Sequence, residues 1–509
     1  MHTIDQALSA MMDFFEPLEI EEVAILDALG RFLAAPVHAR SASPAVDTSA
    51  MDGYAVRGTD LSVHAAINLG SEANVGAEAV AGVDAAGVVV DRHLDSRRSA
   101  RSTVHLPLVG ESRTGGPLPG PLAVGTTIRI LTGAVVPEGA DAVVPQEHVQ
   151  VLHLDHDARR TIAFTDRPKP FANIRRRAED VKPGDVLVPA GHRIGPGEIA
   201  ILASQHIGRV PVRRRPLVAV VSTGDELTDL ADAPAPGKIV NSNAYGLAGA
   251  ILEAGALPWI LPTVADDKDA IASALRTALR ADVIVTSGGV SVGDHDYIHD
   301  AFASIGVNRI LWKVAIKPGK PLAFGVYDRG ARNVRDNSNA GDTTNTRDTT
   351  NTRDTTNTRD ITNTRGDTEA RAAEQRHTAV VGLPGNPASA LVTFALFVRP
   401  GLQRMLGDHR PFPALLKARL GAPHRHSAGR TEFVRVRLRP VATPLERASD
   451  SALIADPLRQ QGSGSHPSMV GCDGFAILSP DRGDHSKDDL VDVLLLDPGS
   501  LKAERWMGD

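Results

Sequence analysis

Three short segments of the chain place glycine and other small or turn-forming residues directly after apolar runs, and two of them add serine and carboxylates. They are Ser222-Thr223-Gly224-Asp225-Glu226, Ser287-Gly288-Gly289-Val290-Ser291-Val292-Gly293-Asp294-His295-Asp296 and Gly382-Leu383-Pro384-Gly385-Asn386-Pro387. Small residues let backbone N–H groups approach phosphate oxygens. Asp225, Glu226, Asp294 and Asp296 lie in the same segments. Several carboxylates beside a phosphate cradle point to a hydrated Mg²⁺ shared with a substrate phosphate. Taken singly, each acid also reads as a helix N-cap or a turn residue. Three such loops in one domain weigh toward a site. A fourth segment, Trp312-Lys313-Val314-Ala315-Ile316-Lys317-Pro318-Gly319-Lys320-Pro321, puts three lysines within eight residues. Lysine acts as a point charge toward phosphate or another oxyanion. A solvated turn is the plainer alternative for a lysine run standing alone.

The N-terminal half holds a third constellation. Asp47-Thr48-Ser49-Ala50-Met51-Asp52-Gly53-Tyr54 joins small polar residues to an acid and a glycine. Ile130-Leu131-Thr132-Gly133-Ala134 precedes Pro137-Glu138-Gly139-Ala140-Asp141, and Asn173-Ile174-Arg175-Arg176-Arg177-Ala178-Glu179-Asp180 sets arginines beside two acids. Each alone reads as a turn between strands or a domain-packing ion pair.

The elements that position these residues follow from periodicity. Apolar residues at Ile4, Leu8, Met11, Met12 and Phe15, then Val23, Leu26, Leu29 and Leu33, predict two helices over 4–35, separated at Pro17. From 44 to 170 short strands and turns take over, and 82–122, rich in Gly, Ser and Arg, reads as a long surface insertion. Residues 171–214 are again strand-like, with turns at 182–185 and 195–197. From 215 to 405 buried apolar runs at 216–221, 282–286 and 379–382 alternate with helices at 242–255, 267–280 and 388–398. That alternation predicts an α/β domain with a largely parallel sheet. In such sheets, ligands bind beyond the carboxyl ends of the strands, where the three glycine loops fall. The domain is interrupted at 329–377, where Asn-Thr-Arg-Asp-Thr-Thr repeats with period six from Asn345 to Arg365. Its near-lack of apolar residues predicts disorder. After 410 a strand pattern returns, including Glu432-Phe433-Val434-Arg435-Val436-Arg437-Leu438, and predicts a C-terminal β domain.

Composition bounds the rest. At roughly 150 residues per domain the chain holds about three or four domains. With 55 Lys+Arg against 61 Asp+Glu, the net charge of −6 excludes a globally basic nucleic-acid binder. An anionic substrate must be met by local positive charge. A single cysteine, Cys472, excludes an internal disulfide and a multi-cysteine zinc site. It fits a reducing compartment. No apolar stretch is long enough to span a bilayer and no secretory leader is visible, so the expected location is cytoplasmic.

Together the motifs resemble one family, the molybdopterin molybdenumtransferases of the MoeA type, also present as the E domain of gephyrin. The matching pieces are SAMDGYAVR, RILTGAVVPEGADAVV, NIRRRAEDV, STGDEL, GKIVNSNAYGL, SGGVSVGDHDY, WKVAIKPGKPLAFG, GLPGNPASA, TEFVRVRL and QGSGS. They occur in family order from about residue 5 to about residue 500. The departures are the longer 82–122 stretch and the 329–377 repeat, and neither removes a motif.

The resemblance implies the fold: an elongated domain from 1–45 and 171–214, an inserted β domain at 46–170, an α/β pterin-nucleotide-binding domain at 215–409 and a C-terminal β barrel at 410–509. It implies a transferase that binds adenylylated molybdopterin, ligates molybdate to the dithiolene and releases AMP with Mg²⁺. It implies a homodimer with sites between subunits, and contact with the adenylyltransferase and with acceptor molybdoenzymes. Nucleic acid and membrane are not expected partners. Carried over residue by residue, the resemblance marks Asp52, Thr132, Asp180, Lys313, Lys317, Arg435 and Ser463 as catalytic and Glu226, Asp267 and Asp296 as metal-associated. The glycine loops and lysine segment supply the expected substrate contacts: Ser222, Thr223, Gly224, Ser287, Gly288, Gly289, Ser291, Gly293, Lys320, Pro384 and Gly385. Asp267 alternatively starts a helix, and Ser463 alternatively sits in a plain turn. Two rival functions remain: a molybdopterin adenylyltransferase, which shares the α/β domain, and a non-catalytic scaffold of the gephyrin type.

Overall fold

The computed structural model describes residues 1–62, 82–83, 89–92, 102–153, 160–289, 297–330, 377–441 and 453–496. It divides into two compact units. One is Met1–Pro36, Val188–Ala203 and Ile207–Asp509, and the other is Val37–Leu187 with Ser204–His206.

The first unit is built on a six-stranded sheet. Its strands are β1 (Leu217–Ser222), β2 (Leu257–Ile260), β3 (Val283–Ser287), β4 (Val307–Trp312), β5 (Ala323–Asp328) and β6 (His377–Leu383), in the order β2-β1-β3-β6-β5-β4. The pairings β2–β1, β1–β3 and β3–β6 are parallel. β5 and β4 complete the sheet antiparallel. Sequence periodicity predicted the parallel core and not this antiparallel edge.

The strands read as continuous apolar runs because both faces are covered. Val218 and Val220 of β1 join Val283, Val285, Ala379 and Val381 on one face. Ala219 and Val221 join Ile284 and Val380 on the other. The period of two in a strand makes this division. Helices α1 (Ile4–Met12) and α2 (Ser242–Glu253) pack Met11, Leu247 and Ile251 on the first face. Helices α3 (Lys268–Ala278) and α4 (Tyr297–Ser304) pack Ile271, Leu275 and Phe302 on the second. Burying each such aliphatic side chain stabilises the domain by about 1.5–3 kcal/mol. The helix starts are marked in the sequence. Thr3 and Gln6 form a capping box, and the Asn241 and Asp267 side chains accept backbone N–H groups of α2 and α3.

Five strands close the C-terminal barrel: β7 (Leu415–Leu420), β8 (Thr431–Pro440), β9 (Leu453–Pro457), β10 (Gly474–Leu478) and β11 (Leu490–Leu495). The order is β8-β9-β7-β11-β10, and pairing of β10 with β8 shuts the ring. Alternate residues such as Val434, Val436 and Leu438 fill its interior. Outside the ring, Ile316–Lys317 pairs in parallel with Thr431 and Glu432.

The second unit carries an eight-stranded sheet around Tyr54, Val56, Leu106, Val144, Ile162 and Phe164.

Three expectations are corrected. The second N-terminal helix is absent: Ile20–Ala24 is a strand paired antiparallel with Arg209–Arg213, and Leu26 and Leu29 are exposed. Pairing with a distant strand overrides the local helical spacing. Within 82–122, Ser102–Ser112 is not a surface insertion but an eleven-residue strand, buried at Val104 and Leu106. The alternation Val104, Leu106, Leu108 carries that strand inside a polar-looking stretch. The expected turn at 195–197 begins a helix, Pro196–Ser204, because proline suits the first helical turn.

Among the described residues no helix is long and apolar enough to cross a membrane. Of the 329–377 segment expected to be disordered, 331–376 lies outside the described residues, whereas Arg329 is hydrogen-bonded and His377 begins a strand. Its two ends meet in the sheet, where Asp328 pairs with His377. Arg329 locks this stem, donating from Nε to Thr378 Oγ1 at 2.9 Å and from Nη2 to the Ala281 carbonyl at 2.5 Å. Deleting 333–376 leaves a short β5–β6 turn and changes loop-closure entropy by only about 2 kcal/mol. The deletion variant is expected to keep its melting temperature within a few degrees, and its product formation. A melting temperature lowered by ten degrees or more in differential scanning calorimetry contradicts this.

Candidate active site

The strand order reverses beside β1: β2 lies on one side and β3 on the other. A crevice is expected beyond the carboxyl ends of strands at such a point. A cleft of about 680 Å³ opens there, lined by Thr223 after β1, Ser287, Gly288 and Gly289 after β3, and Pro384, Gly385, Asn386 and Pro387 after β6. The three loops touch backbone to backbone. A Cβ on Gly288 would lie 2.8 Å from the Thr223 carbonyl oxygen, and one on Gly385 would lie 3.4 Å from the Gly288 Cα. Gly288 and Gly289 also sit at φ +97° and +66°, where L side chains are strained. Glycine is required at this junction by space and by conformation.

Asn243, near the start of α2, ties two of the loops together. Its Nδ2 donates to Ser287 Oγ at 2.9 Å and to the Gly385 carbonyl at 2.6 Å. A barrel loop forms another wall, since Gly464 and His466 line the cleft. His466 Nε2 lies 2.6 Å from Ser242 Oγ, and Asn386 Nδ2 donates to Ser463 Oγ at 3.2 Å. The helix α5 (Pro387–Thr393) starts at this contact, with the Ala388 N–H donating to the Ser463 carbonyl.

Glu226 and Asp266 are the carboxylates on the lining. Burial raises the Asp266 pKa, and the charges of Asp225 and Glu226 add to the rise. Like charges gathered at a polar cleft favour a cation. Among the described residues no three His, Cys, Asp or Glu groups converge as a ready metal cage. The donor set fits a Mg²⁺ that keeps its waters and takes one or two carboxylates plus substrate phosphate. Asp267 stands apart as the N-cap of α3, its Oδ1 accepting from the Asp269 and Ala270 N–H groups.

The other expected residues divide by place. Thr223, Glu226, Ser287, Gly288, Gly289, Pro384 and Gly385 line the cleft. Ser222 is buried beneath it, and Gly224 packs against the Glu226 carboxylate. Ser291, Gly293 and Asp296 lie outside the described residues. The lysine segment reaches the lining through Pro321 rather than Lys320. Lys313 holds its ammonium 5.6 Å from the Trp312 ring. Lys317 Nζ pairs with Glu432 Oε1 at 3.0 Å. Arg435 is fully buried. Its Nη2 donates to the Gly462 carbonyl at 3.3 Å, while Nε and Nη1 have no partner among the described residues.

The N-terminal candidates belong to the second unit. Asp52 Oδ1 accepts from both the Thr132 N–H and the Thr132 hydroxyl at 2.7 Å, and these bonds hold its carboxyl below the usual range. Asp180 pairs with Arg175.

Sequence reasoning missed Asp266, Asn243 and His466. The resemblance marked the neighbouring Asp267, which caps α3, while Asp266 lies on the cleft lining. Asn243 sits inside a segment read only as a helix start, and His466 directly follows the QGSGS piece.

An α/β domain whose glycine-lined cleft is walled by a β-barrel loop defines the class. Comparisons make it specific. Residues 2–205 match the MoeA N-terminal region (domains I and II), 219–404 a probable molybdopterin binding domain and 417–496 the MoeA C-terminal region (domain IV). A molybdopterin molybdenumtransferase from Nostoc is 33% identical over 81% of this chain and 76% of its own. One from Bacillus subtilis is 29% identical over 97% of this chain and 94% of its own. The crystal structure of a molybdopterin biosynthesis MoeA protein from Pyrococcus horikosii superimposes with a TM-score of 0.68 at 26% identity, covering 97% of this chain and 98% of that one. The chain belongs to the molybdopterin molybdenumtransferase family, and it is a transferase of molybdenum cofactor biosynthesis.

Proposed function

We propose that the chain inserts molybdenum into adenylylated molybdopterin: the dithiolene sulfurs ligate molybdate and the adenylyl group leaves as AMP. The observation that carries this reading is the cleft itself. It joins glycine loops suited to phosphate, a carboxylate pair on the lining and a barrel loop beside a buried arginine. Gly288, Gly289 and Gly385 offer close backbone approach to the nucleotide phosphates, and Asn243 keeps their loops in register. Glu226 and Asp266, with Asp296, would hold a hydrated Mg²⁺, which when bound neutralises phosphate charge. Lys313, Lys317, Arg435 and Ser463 supply the oxyanion side. The protein acts in the cytoplasm, as a homodimer in contact with the adenylyltransferase and acceptor molybdoenzymes.

The test is AMP release from adenylylated molybdopterin and Mg²⁺, with and without molybdate. Molybdate-dependent AMP supports the reading. ATP-dependent formation of the adenylylated pterin instead marks an adenylyltransferase, and neither activity marks a scaffold.

Two further results are expected. Glu226→Gln keeps size and removes a charge a hard cation needs. It should raise the Mg²⁺ concentration for half-maximal AMP release about tenfold, with nucleotide binding retained. An unchanged Mg²⁺ titration would clear Glu226 of this role. In a dimer with shared sites, mixing Asp52→Ala with Glu226→Ala chains should restore part of the activity that each homodimer lacks. Sedimentation showing only monomers at micromolar concentration would exclude the shared arrangement.

A further inference from the structure

The lysine segment is held from the barrel side by a buried polar network. Thr431 donates its N–H to the Ala315 carbonyl at 3.1 Å, and Ile316 and Lys317 run in parallel with Thr431 and Glu432. Glu432 then reaches the ammonium of Lys317 at 3.0 Å. The two partners are unequal. The Lys317 side chain is 45% exposed and that of Glu432 only 6%. A buried carboxylate needs more than one partner, and Glu432 has three. Its Oε2 lies 2.7 Å from His426 Nδ1 and its Oε1 lies 3.3 Å from His424 Nε2. His426 is itself fixed, with Nε2 3.1 Å from the Ser479 carbonyl. Both its ring nitrogens thus face oxygen atoms. Burial alone would push the Glu432 carboxyl up, but bonds from His424, His426 and Lys317 overcome this and hold it at about 2.

We propose that Glu432 is a positioning residue: clamped by His424 and His426, it fixes the ammonium of Lys317 so that the remaining N–H groups are presented to an oxyanion. A free lysine side chain loses considerable rotamer freedom when it binds. An ammonium carries three donors, and one bond to Glu432 leaves two. The carboxylate is rigid because the histidines hold it inside the barrel wall, so the lysine inherits an ordered position while its outer face stays in water. Preordering of this kind strengthens capture of an anion without adding a contact to it.

The inference rests on the reading of Lys317 as an oxyanion ligand. A double-mutant cycle separates the two. Equilibrium dialysis with sodium molybdate and the KM for molybdate in AMP release are measured for wild type, Lys317→Ala, Glu432→Gln and the double variant. Glu432→Gln should weaken molybdate binding and raise its KM by about tenfold, with kcat changed less than about threefold. Glu432→Asp, which restores the charge, should recover part of the loss. In the Lys317→Ala background, Glu432→Gln should have no further effect on molybdate. If Lys317→Ala leaves molybdate binding and KM unchanged, the reading of Lys317 fails and the proposal with it. If Lys317→Ala weakens binding but Glu432→Gln does not, or if their effects are additive, the positioning role is overturned while the reading of Lys317 stands. Melting temperatures of all four proteins confirm that folded states are compared. A Glu432→Gln protein that does not fold shifts the same comparison to Glu432→Asp: a binding loss there that disappears in the Lys317→Ala background supports the proposal, and no loss overturns it.

Discussion

Arg435→Met is expected to leave the melting temperature unchanged or higher while cutting molybdate-dependent AMP release about 100-fold, the scale of losing one oxyanion donor. Arg435 is fully buried, and two of its guanidinium nitrogens lack partners among the described residues. Burial lowers its pKa, opposed by the nearby Glu432 carboxylate. An unpaired buried donor costs about 1–3 kcal/mol, and an apolar side chain of similar length often replaces a buried charge at no loss of stability. The only side-chain bond forfeited among those described is the long one to the Gly462 carbonyl. Stability and activity should therefore move independently. The experiment pairs a thermal melt with a molybdate titration. A large drop in melting temperature with an unaltered molybdate response would show that Arg435 serves the barrel alone.

Gly288→Ala should be equally damaging by a different route. The added Cβ meets the Thr223 carbonyl oxygen at 2.8 Å, and a backbone atom cannot swing aside. The residue also keeps φ +97°, which costs an alanine about 1–3 kcal/mol. Separating the β1 and β3 loops moves the surface against which Gly385 packs. Affinity for the pterin nucleotide should fall about 100-fold, or close to 3 kcal/mol. Gly249→Ala is the matched control. Gly249 lies in α2 with nothing within 4 Å of its Cβ position, so alanine there should stabilise the helix by about 0.5–1 kcal/mol. Titration of nucleotide against both variants decides the matter. Equal affinities would mean that the loop junction does not shape the binding surface.

What could be read from the sequence depended on range. β1 and β3 were legible because strands buried on both faces are unbroken apolar runs, and their loops were legible because glycine and serine follow immediately. α2 and α3 carried their caps in Asn241 and Asp267. The strand Ile20–Ala24 was not legible, because its partner Arg209–Arg213 is remote in the chain and the local spacing suits a helix. The cleft's composition was largely visible, yet its cross-links were not. Nothing near Lys317 announces Glu432, and nothing near Asn243 announces Gly385. Asp266 was hidden by its neighbour, since capping geometry gives one acid to the helix and leaves the other to the cleft. Contacts between elements are set by tertiary packing, which residue type and spacing encode only within one element.

The stem formed by Asp328 and His377 makes the β5–β6 connection a port for grafted domains. The sheet asks only that its two strands emerge side by side, and Arg329 fastens them from below. A folded reporter whose own termini lie close together would satisfy that demand as well as a turn does. Placed between residues 330 and 377, such a reporter would hang from the β5–β6 stem, with one strand, β3, between that stem and β1. A tagged enzyme built in this way could be followed without borrowing either end of the chain.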